Sequence, residues 1–196
     1  MAKTNIGLVA HAKAMHKSGA VYLWGTYGKV VTKSLLQGLF TQYPSYYNQE
    51  NRKARAMAND IGRIGVDCCG LIKAYMLTKE TGKPTTTFSS ATFAKYDKNV
   101  GMMKAACSKV GSVINIPEIP GLLVFMGTHH VGIYIGNGLV IEAKGFNYGV
   151  VVSKLNDEVW DSWGKLSWIT YEPVATPINP PVKPQPKPQV KPPVVN

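Results

Sequence analysis

The chain is short of several things, and each shortage narrows what it can be. Its 196 residues contain no apolar run long enough to span a bilayer, so stable membrane insertion is not expected. The opening residues Met1-Ala2-Lys3-Thr4-Asn5 lack the apolar core of a secretory signal, which predicts synthesis in the cytoplasm without export by the general secretory route. Cysteine is scarce: Cys68, Cys69 and Cys107 form an odd set with two members adjacent, which argues for a reduced chain rather than a disulfide framework. Acidic residues are few, 11 against 22 Lys and Arg, and the resulting net charge of +11 draws the protein towards polyanions. Nucleic acid, anionic lipid and anionic cell-wall polymers all qualify by charge. Nucleic-acid binders, however, usually concentrate their cations among aromatics in one helix or arm, and here they are scattered. The densest group, Arg52-Lys53-Ala54-Arg55, reads as a solvated helix face.

What is present suits one domain of ordinary size, with 45% hydrophobic residues to fill its core. From Pro173 the composition changes to prolines alternating with Lys183, Lys187, Lys191, valines and glutamines. Such a segment favours polyproline II, could hold two parts roughly 70 Å apart, and predicts a linker over 173–196 joining a domain at 1–172 to a missing C-terminal wall-binding domain. Within 1–172, a first helix is expected from Thr4 or Asn5 to Gly19, with Leu8, Ala12 and Met15 on one face. Further helices are expected around Glu50–Asn59, from Cys68 to about Lys79, and through Tyr96 behind Ser89 or Ser90. The segment 29–65 is otherwise a polar and aromatic excursion to which pattern alone gives no role. Beyond Pro120 the pattern turns to strands at Leu122–Met126, Val131–Ile135, Leu139–Ala143 and Val150–Val152. Helices first and antiparallel strands later predict an α+β domain.

Two segments carry chemistry. In Asp67-Cys68-Cys69-Gly70-Leu71-Ile72, Asp67 is a preferred N-cap, and apolar residues follow at helical spacing. Cys68 then lies in the first turn of an amphipathic helix, where the helix end and backbone N–H groups without an intrahelical acceptor favour a thiolate and, later, an oxyanion. In His129-His130-Val131-Gly132-Ile133-Tyr134, strand alternation leaves His130 facing a cleft and His129 facing the other way. A base needs an orienting partner, and Glu142 on the next strand is the best candidate by position. The intervening turn decides this. A three-residue loop at 135–137 would set His130 and Glu142 opposite each other, with Cβ atoms about 5 Å apart. A two-residue Asn137-Gly138 turn, which local rules favour, would pair His130 with Gly145 and turn Glu142 to the wrong face.

These segments resemble the NlpC/P60 family of papain-like cysteine peptidases, which cut stem peptides of bacterial peptidoglycan. The likeness extends over about residues 7 to 170 and includes Tyr22-Leu23-Trp24-Gly25, the Cys68 motif, Pro120-Gly121-Leu122-Leu123-Val124-Phe125, and His130 to Asn137-Gly138 followed by Val140-Ile141-Glu142-Ala143. The resemblance implies a papain-like fold with N-terminal helices on an antiparallel sheet. It implies Cys68 as nucleophile, His130 as base and then acid, and Glu142 as the orienting residue, with Tyr22, Trp24, Asp67 and Cys69 at the substrate or oxyanion side. It also implies peptidoglycan stem peptides as substrate and cleavage of the γ-D-glutamyl–diamino acid bond, while the charge pattern adds anionic wall polymers as partners rather than nucleic acid, and no cofactor or metal is expected.

Three departures stand out: Cys69 replaces a serine, Leu122 stands where aspartate is common, and Glu142 occupies a position more often filled by His, Asn or Gln. Together with the absent signal and the linker, the resemblance suggests a phage endolysin, made in the host cytoplasm and acting at the wall after release. A cytoplasmic autolysin freed by lysis is the close alternative. A zinc site is disfavoured because adjacent Cys-Cys and His-His pairs poorly serve one tetrahedral ion. Cys107 reads as a buried small apolar residue. A binding module built on Trp24, Trp160, Trp163 and Trp168, and an acyltransferase using the same thiol, are the other functional alternatives.

Overall fold

The computed structural model describes residues 2–173. Residues 174–196, nearly all of the expected linker, lie outside the described residues. Among the described residues no helix is long and apolar enough to cross a membrane.

Helix α1 (Asn5–Lys17) starts where Thr4 accepts the amide of Gly7 and buries Leu8, Ala12 and Met15. After the short strand β1 (Val21–Tyr22) comes β2 (Tyr27–Val30). The excursion then folds into three helices, α2 (Lys33–Gln42), α3 (Pro44–Tyr47) and α4 (Arg52–Asn59), where only the last was expected. It has its own small core of Val31, Leu36, Leu39, Tyr47 and Ala56, joined to Val21 and Leu23. Strand β3 (Ile64–Val66) returns between β1 and β2, parallel to the first and antiparallel to the second.

Helix α5 (Cys68–Leu77) follows at once, capped by Asp67. Its sequence predicts an amphipathic helix, yet every residue of it except Lys73 is buried. The reason is its position, between α1 and β2 on one side and the main sheet on the other, and a helix enclosed on all faces must be apolar on all faces. It ends at Leu77, earlier than expected, with Thr78 already extended. Helices α6 (Ser90–Tyr96, capped by Ser89) and α7 (Val100–Ala105) complete the helical part.

The main sheet has six antiparallel strands in the order β4-β9-β5-β6-β7-β8: β4 (Cys107–Ser112), β5 (Leu123–Met126), β6 (His130–Gly136), β7 (Leu139–Gly145), β8 (Gly149–Lys154) and β9 (Ser162–Leu166). One face, with Leu123, Phe125, Val131, Ile133, Ile141 and Ala143, packs on α1 and α5. The other holds Leu122, Val124, Tyr134, Val140, Trp160 and Trp163 in a second cluster. Leu122 is therefore a core residue of that outer face. The architecture is α+β, with N-terminal helices on an antiparallel sheet. The edge strand β4 and its neighbour β9 were not expected: β4 is mostly exposed and Gly- and Lys-bearing, and carries little of the alternation that marks a half-buried strand. Cys107, at its start, is half-buried rather than buried, with its thiol against the Met103 carbonyl.

Candidate functional site

The thiol end of α5 is fixed by its own cap and by one turn that packs against it. The Asp67 carboxylate accepts the amide of Gly70 at 2.6 Å through Oδ1 and that of Gly25 at 2.9 Å through Oδ2. One side chain thus caps the helix and ties it to the Tyr22–Thr26 turn. The Asp67 amide in turn donates to the Thr26 carbonyl. That carbonyl lies where a Cβ on residue 70 would stand, 1.8 Å away, so the motif glycine is required by backbone approach. Helix hydrogen bonding begins with Leu71 to Asp67, which leaves the amides of Cys68 and Cys69 without an acceptor inside the helix.

The imidazole end is fixed by strand register. A three-residue turn, Gly127-Thr128-His129, returns β5 into β6 so that Met126 faces His130. The turn is pinned where Gly127 donates to Asp161. Between β6 and β7 the two-residue turn Asn137-Gly138 forms, both residues at positive φ as a type I′ turn demands. The register nevertheless changes at once. Gly136 pairs with Leu139, but Tyr134 pairs with Val140, so Ile135 is an extra residue, a β-bulge. Neither register anticipated from the sequence occurs. One inserted residue reverses the facing of everything upstream of it, so Gly132 comes opposite Glu142 and His130 lies on the same face, one pleat away. His130 Nε2 and Glu142 Oε2 meet at 2.7 Å across this diagonal. Tyr134 supports the bulge, its hydroxyl donating to Glu118 at 2.6 Å and accepting from Gly138 at 3.1 Å.

Two residues that sequence reasoning did not connect to the site belong beside it. The Ser153 hydroxyl donates to Glu142 Oε1, so both carboxylate oxygens are engaged. The Trp160 ring stacks on His130 with centroids 5.5 Å apart and planes at 21°. It can do so because Gly132 is bare: a Cβ there would stand 3.0 Å from the indole. Ser153 was open to discovery through the alternation of β8, but only once the β7–β8 register is known.

Electrostatics couples the two ends. The Cys68 thiol is lowered to about 5, first by hydrogen bonding from the Cys69 thiol and then, against the cost of burial, by His130. Cys69 moves the opposite way, its ionisation opposed by the neighbouring Cys68 sulfur and by burial. For His130, burial favours the neutral ring, but hydrogen bonds with Cys68 and Glu142 outweigh it and raise it to about 9. Glu142 is held below the usual carboxylate range despite burial, by His130 and Ser153. Asp67 is raised to about 6 by burial and by the Cys68 charge, against the hydrogen bonds from Gly70 and Gly25. The buried Tyr22 phenol is raised by desolvation and then by Cys68, so it stays protonated beside the sulfur.

The cysteines open into a cleft of about 680 Å³ whose lining includes Trp24, Tyr43, Cys68, Lys73, Phe93 and Asp97. Trp24 is exposed and stacks on Tyr46 at 5.4 Å. Lys73 and Asp97 form a 2.7 Å ion pair within the cleft. His129, expected to face away, is exposed and lines the same cleft from the β5–β6 turn. The structure therefore gathers Cys68, Cys69, Asp67, Tyr22, Trp24, His130 and Glu142 around one thiol. A thiolate, an imidazolium and a buried carboxylate in series can carry out nucleophilic acyl chemistry.

The model of the NlpC/P60 family matches residues 19–167, and the chain belongs to that family. Among solved structures, it is similar to the NlpC/P60 domain of the peptidoglycan hydrolase SagA, at 20% identity over 83% of this chain and 99% of that one, with a TM-score of 0.44. It is also similar to the P60 domain of an antigen from M. avium subspecies paratuberculosis, at 21% identity over 83% and 96% of the two chains, with a TM-score of 0.43. A third is the peptidoglycan hydrolase RipB from Mycobacterium tuberculosis, at 18% identity over 83% of this chain and 66% of that one, with a TM-score of 0.44. No match was found among curated protein sequences.

Proposed function

We propose that this protein is a peptidoglycan hydrolase that cuts an amide bond of the stem peptide through a Cys68 acyl-enzyme. The observation that carries this reading is the series of Cys68, His130 and Glu142, with His130 Nε2 at 2.7 Å from Glu142 and its ring coupled to the Cys68 thiol. Family membership supports it. The Cys68 thiolate attacks the scissile carbonyl carbon, and the amides of the first helical turn receive the developing oxyanion. Collapse breaks the C–N bond, the leaving amine takes the proton from the His130 imidazolium, and a thioester remains on Cys68. His130, now neutral, takes a proton from water, whose oxygen attacks the thioester and releases the acid and the thiolate. Glu142 keeps the ring in one orientation and stabilises its charged form, the role a carboxylate serves beside a catalytic imidazole. Tyr22 and Trp24 border the substrate. The γ-D-glutamyl–diamino acid bond is the bond we assign, on family resemblance.

Digestion of purified peptidoglycan by the wild type and by Cys68→Ala, followed by mass spectrometry of the released fragments, tests this. The wild type is expected to release fragments with a new glutamyl carboxyl terminus and the variant none. Equal action of both proteins on walls would overturn the reading in favour of a binding module.

A further inference from the structure

The excursion builds a second pocket, outside the thiol cleft, of about 290 Å³. Tyr22, Arg55, Arg63, Asn147 and Tyr148 are among its lining residues. The sequence reads the Arg52–Arg55 group as a solvated helix face, which holds for the exposed Lys53, Ala54 and Arg55 and fails at Arg52. The Arg52 side chain is only 13% exposed, with its guanidinium 4.2 Å from the Tyr46 ring centre and 5.7 Å from that of Phe146. Arg55 lies 5.0 Å from the Phe146 ring centre and donates to Asn147 Oδ1 at 2.8 Å. Together with Trp24 on Tyr46, these contacts make a continuous stack from the mouth of the thiol cleft to the β7–β8 turn. The stack holds α4 against that turn and gives the pocket a fixed shape.

The charge of the lining is cationic. Arg63, held by the Gly19 carbonyl at 2.5 Å, stands with Arg55, and the one carboxylate in the lining is Asp60, 3.6 Å from Arg63. Two guanidiniums against one carboxylate leave a positive balance. Each guanidinium carries five donors in a planar fork suited to a carboxylate, and neighbours already hold the forks in place, so little entropy is lost on binding. Tyr22 is the wall this pocket shares with the thiol, since its ring packs in the same core cluster as Cys68.

We propose that this pocket is a subsite for a peptide carboxylate, built in part by the 29–65 excursion, and placed beyond Tyr22 from Cys68. The proposal rests on the peptidase reading, which supplies the ligand class. A γ-linked glutamyl residue keeps its α-carboxylate free, and the peptide terminus offers a second one.

Calorimetric titration of full-length Cys68→Ala protein, which does not turn the ligand over, separates these sources. The probes are the synthetic peptide L-Ala-γ-D-Glu-L-Lys-D-Ala, the same peptide with the glutamyl α-carboxyl as carboxamide, and the same peptide with a C-terminal carboxamide. One of the two amidated peptides is expected to bind about tenfold or more weakly, the effect of losing a charge-assisted hydrogen bond. Adding Arg55→Gln and Arg63→Gln is expected to abolish that preference. Equal binding of all three peptides, no binding of any, or a preference that survives the double substitution overturns the subsite. The peptide comparison needs no arginine substitution, so it decides the matter even where the double variant does not fold. Wall digestion by the protein with Cys68 intact is read separately, so failure of the hydrolase assignment and failure of the subsite give different results.

Discussion

The two ends of the site are held in different ways. Cys68 is placed first by contacts that close within three residues, the Asp67 cap and the first turn of α5, and these are then locked against one preformed turn, where Asp67 meets Gly25, 42 residues earlier, and Gly70 meets Thr26. His130 is placed by pairing across strands, and its partner Glu142 reaches it because Ile135 stands outside that pairing as a bulge. The first arrangement is rigid against register error but intolerant of added atoms. The second accepts changes of side chain but depends on a one-residue count. The comparison teaches that a nucleophile can be written into local sequence, whereas a base and its orienting group are set by how two strands align.

Inserting one alanine between Gly132 and Ile133 should break the sheet half most severely. With the turn and the bulge kept, the added residue takes the place opposite Glu142, and His130 moves to the face turned away from the carboxylate. Hydrolysis is then expected to fall roughly 10²–10⁴-fold, the scale of losing an oriented base, in a protein whose far-ultraviolet spectrum still reports the sheet. Activity unchanged by the insertion would show that strand register does not set the pair.

Gly70→Ala is the matching break in the helical half. Its Cβ would meet a backbone oxygen at 1.8 Å, which no rotamer relieves, so destabilisation of about 3 kcal/mol or more is expected in denaturant titration. A variant that melts like the wild type would remove the steric account of this glycine.

Glu142→Gln sharpens the comparison through pH. Thiolate is lost as pH falls through the lowered Cys68 value of about 5, and the imidazolium is lost as pH rises through the raised His130 value of about 9. A bell-shaped kcat/KM profile follows, whose two limbs belong to the coupled pair. Replacing the carboxylate by a neutral amide removes its charge and weakens one of the two hydrogen bonds that raise His130, so the alkaline limb should move down by about one pH unit with a roughly tenfold or greater loss of rate. An unmoved alkaline limb would separate Glu142 from the titration of His130. Ser153→Ala should act in the same direction and more weakly. It removes one hydrogen bond to Glu142 and is expected to cost about three- to tenfold in kcat/KM with little change in KM. A variant changed in KM alone would place Ser153 on the substrate side instead.

Legibility followed the same division. Thr4, Asp67 and Ser89 announce their helices because a cap is a contact between residues three apart. Strands β5 to β8 show in the sequence as apolar runs between glycine-bearing turns. The helices α2 and α3 did not, since their apolar residues serve a small core completed by Val21 and Leu23. Nor did the burial of Arg52, whose cation lies on rings supplied by Tyr46 and Phe146, one near and one far along the chain. Trp160 offered an aromatic of uncertain use, and its place over His130 depends on the absence of a side chain at Gly132.

By itself, the amino-acid sequence determined that a thiol would begin a capped helix, that a histidine would begin a strand, and that an α+β domain would carry both, because caps, periodicity and turn chemistry act over a few residues. Only the tertiary structure decided that Glu142 faces His130, that Ser153 and Trp160 join them, and that Arg55 and Arg63 border one pocket. Those facts depend on register and on packing between distant segments, and a single inserted residue changes the facing of a whole strand.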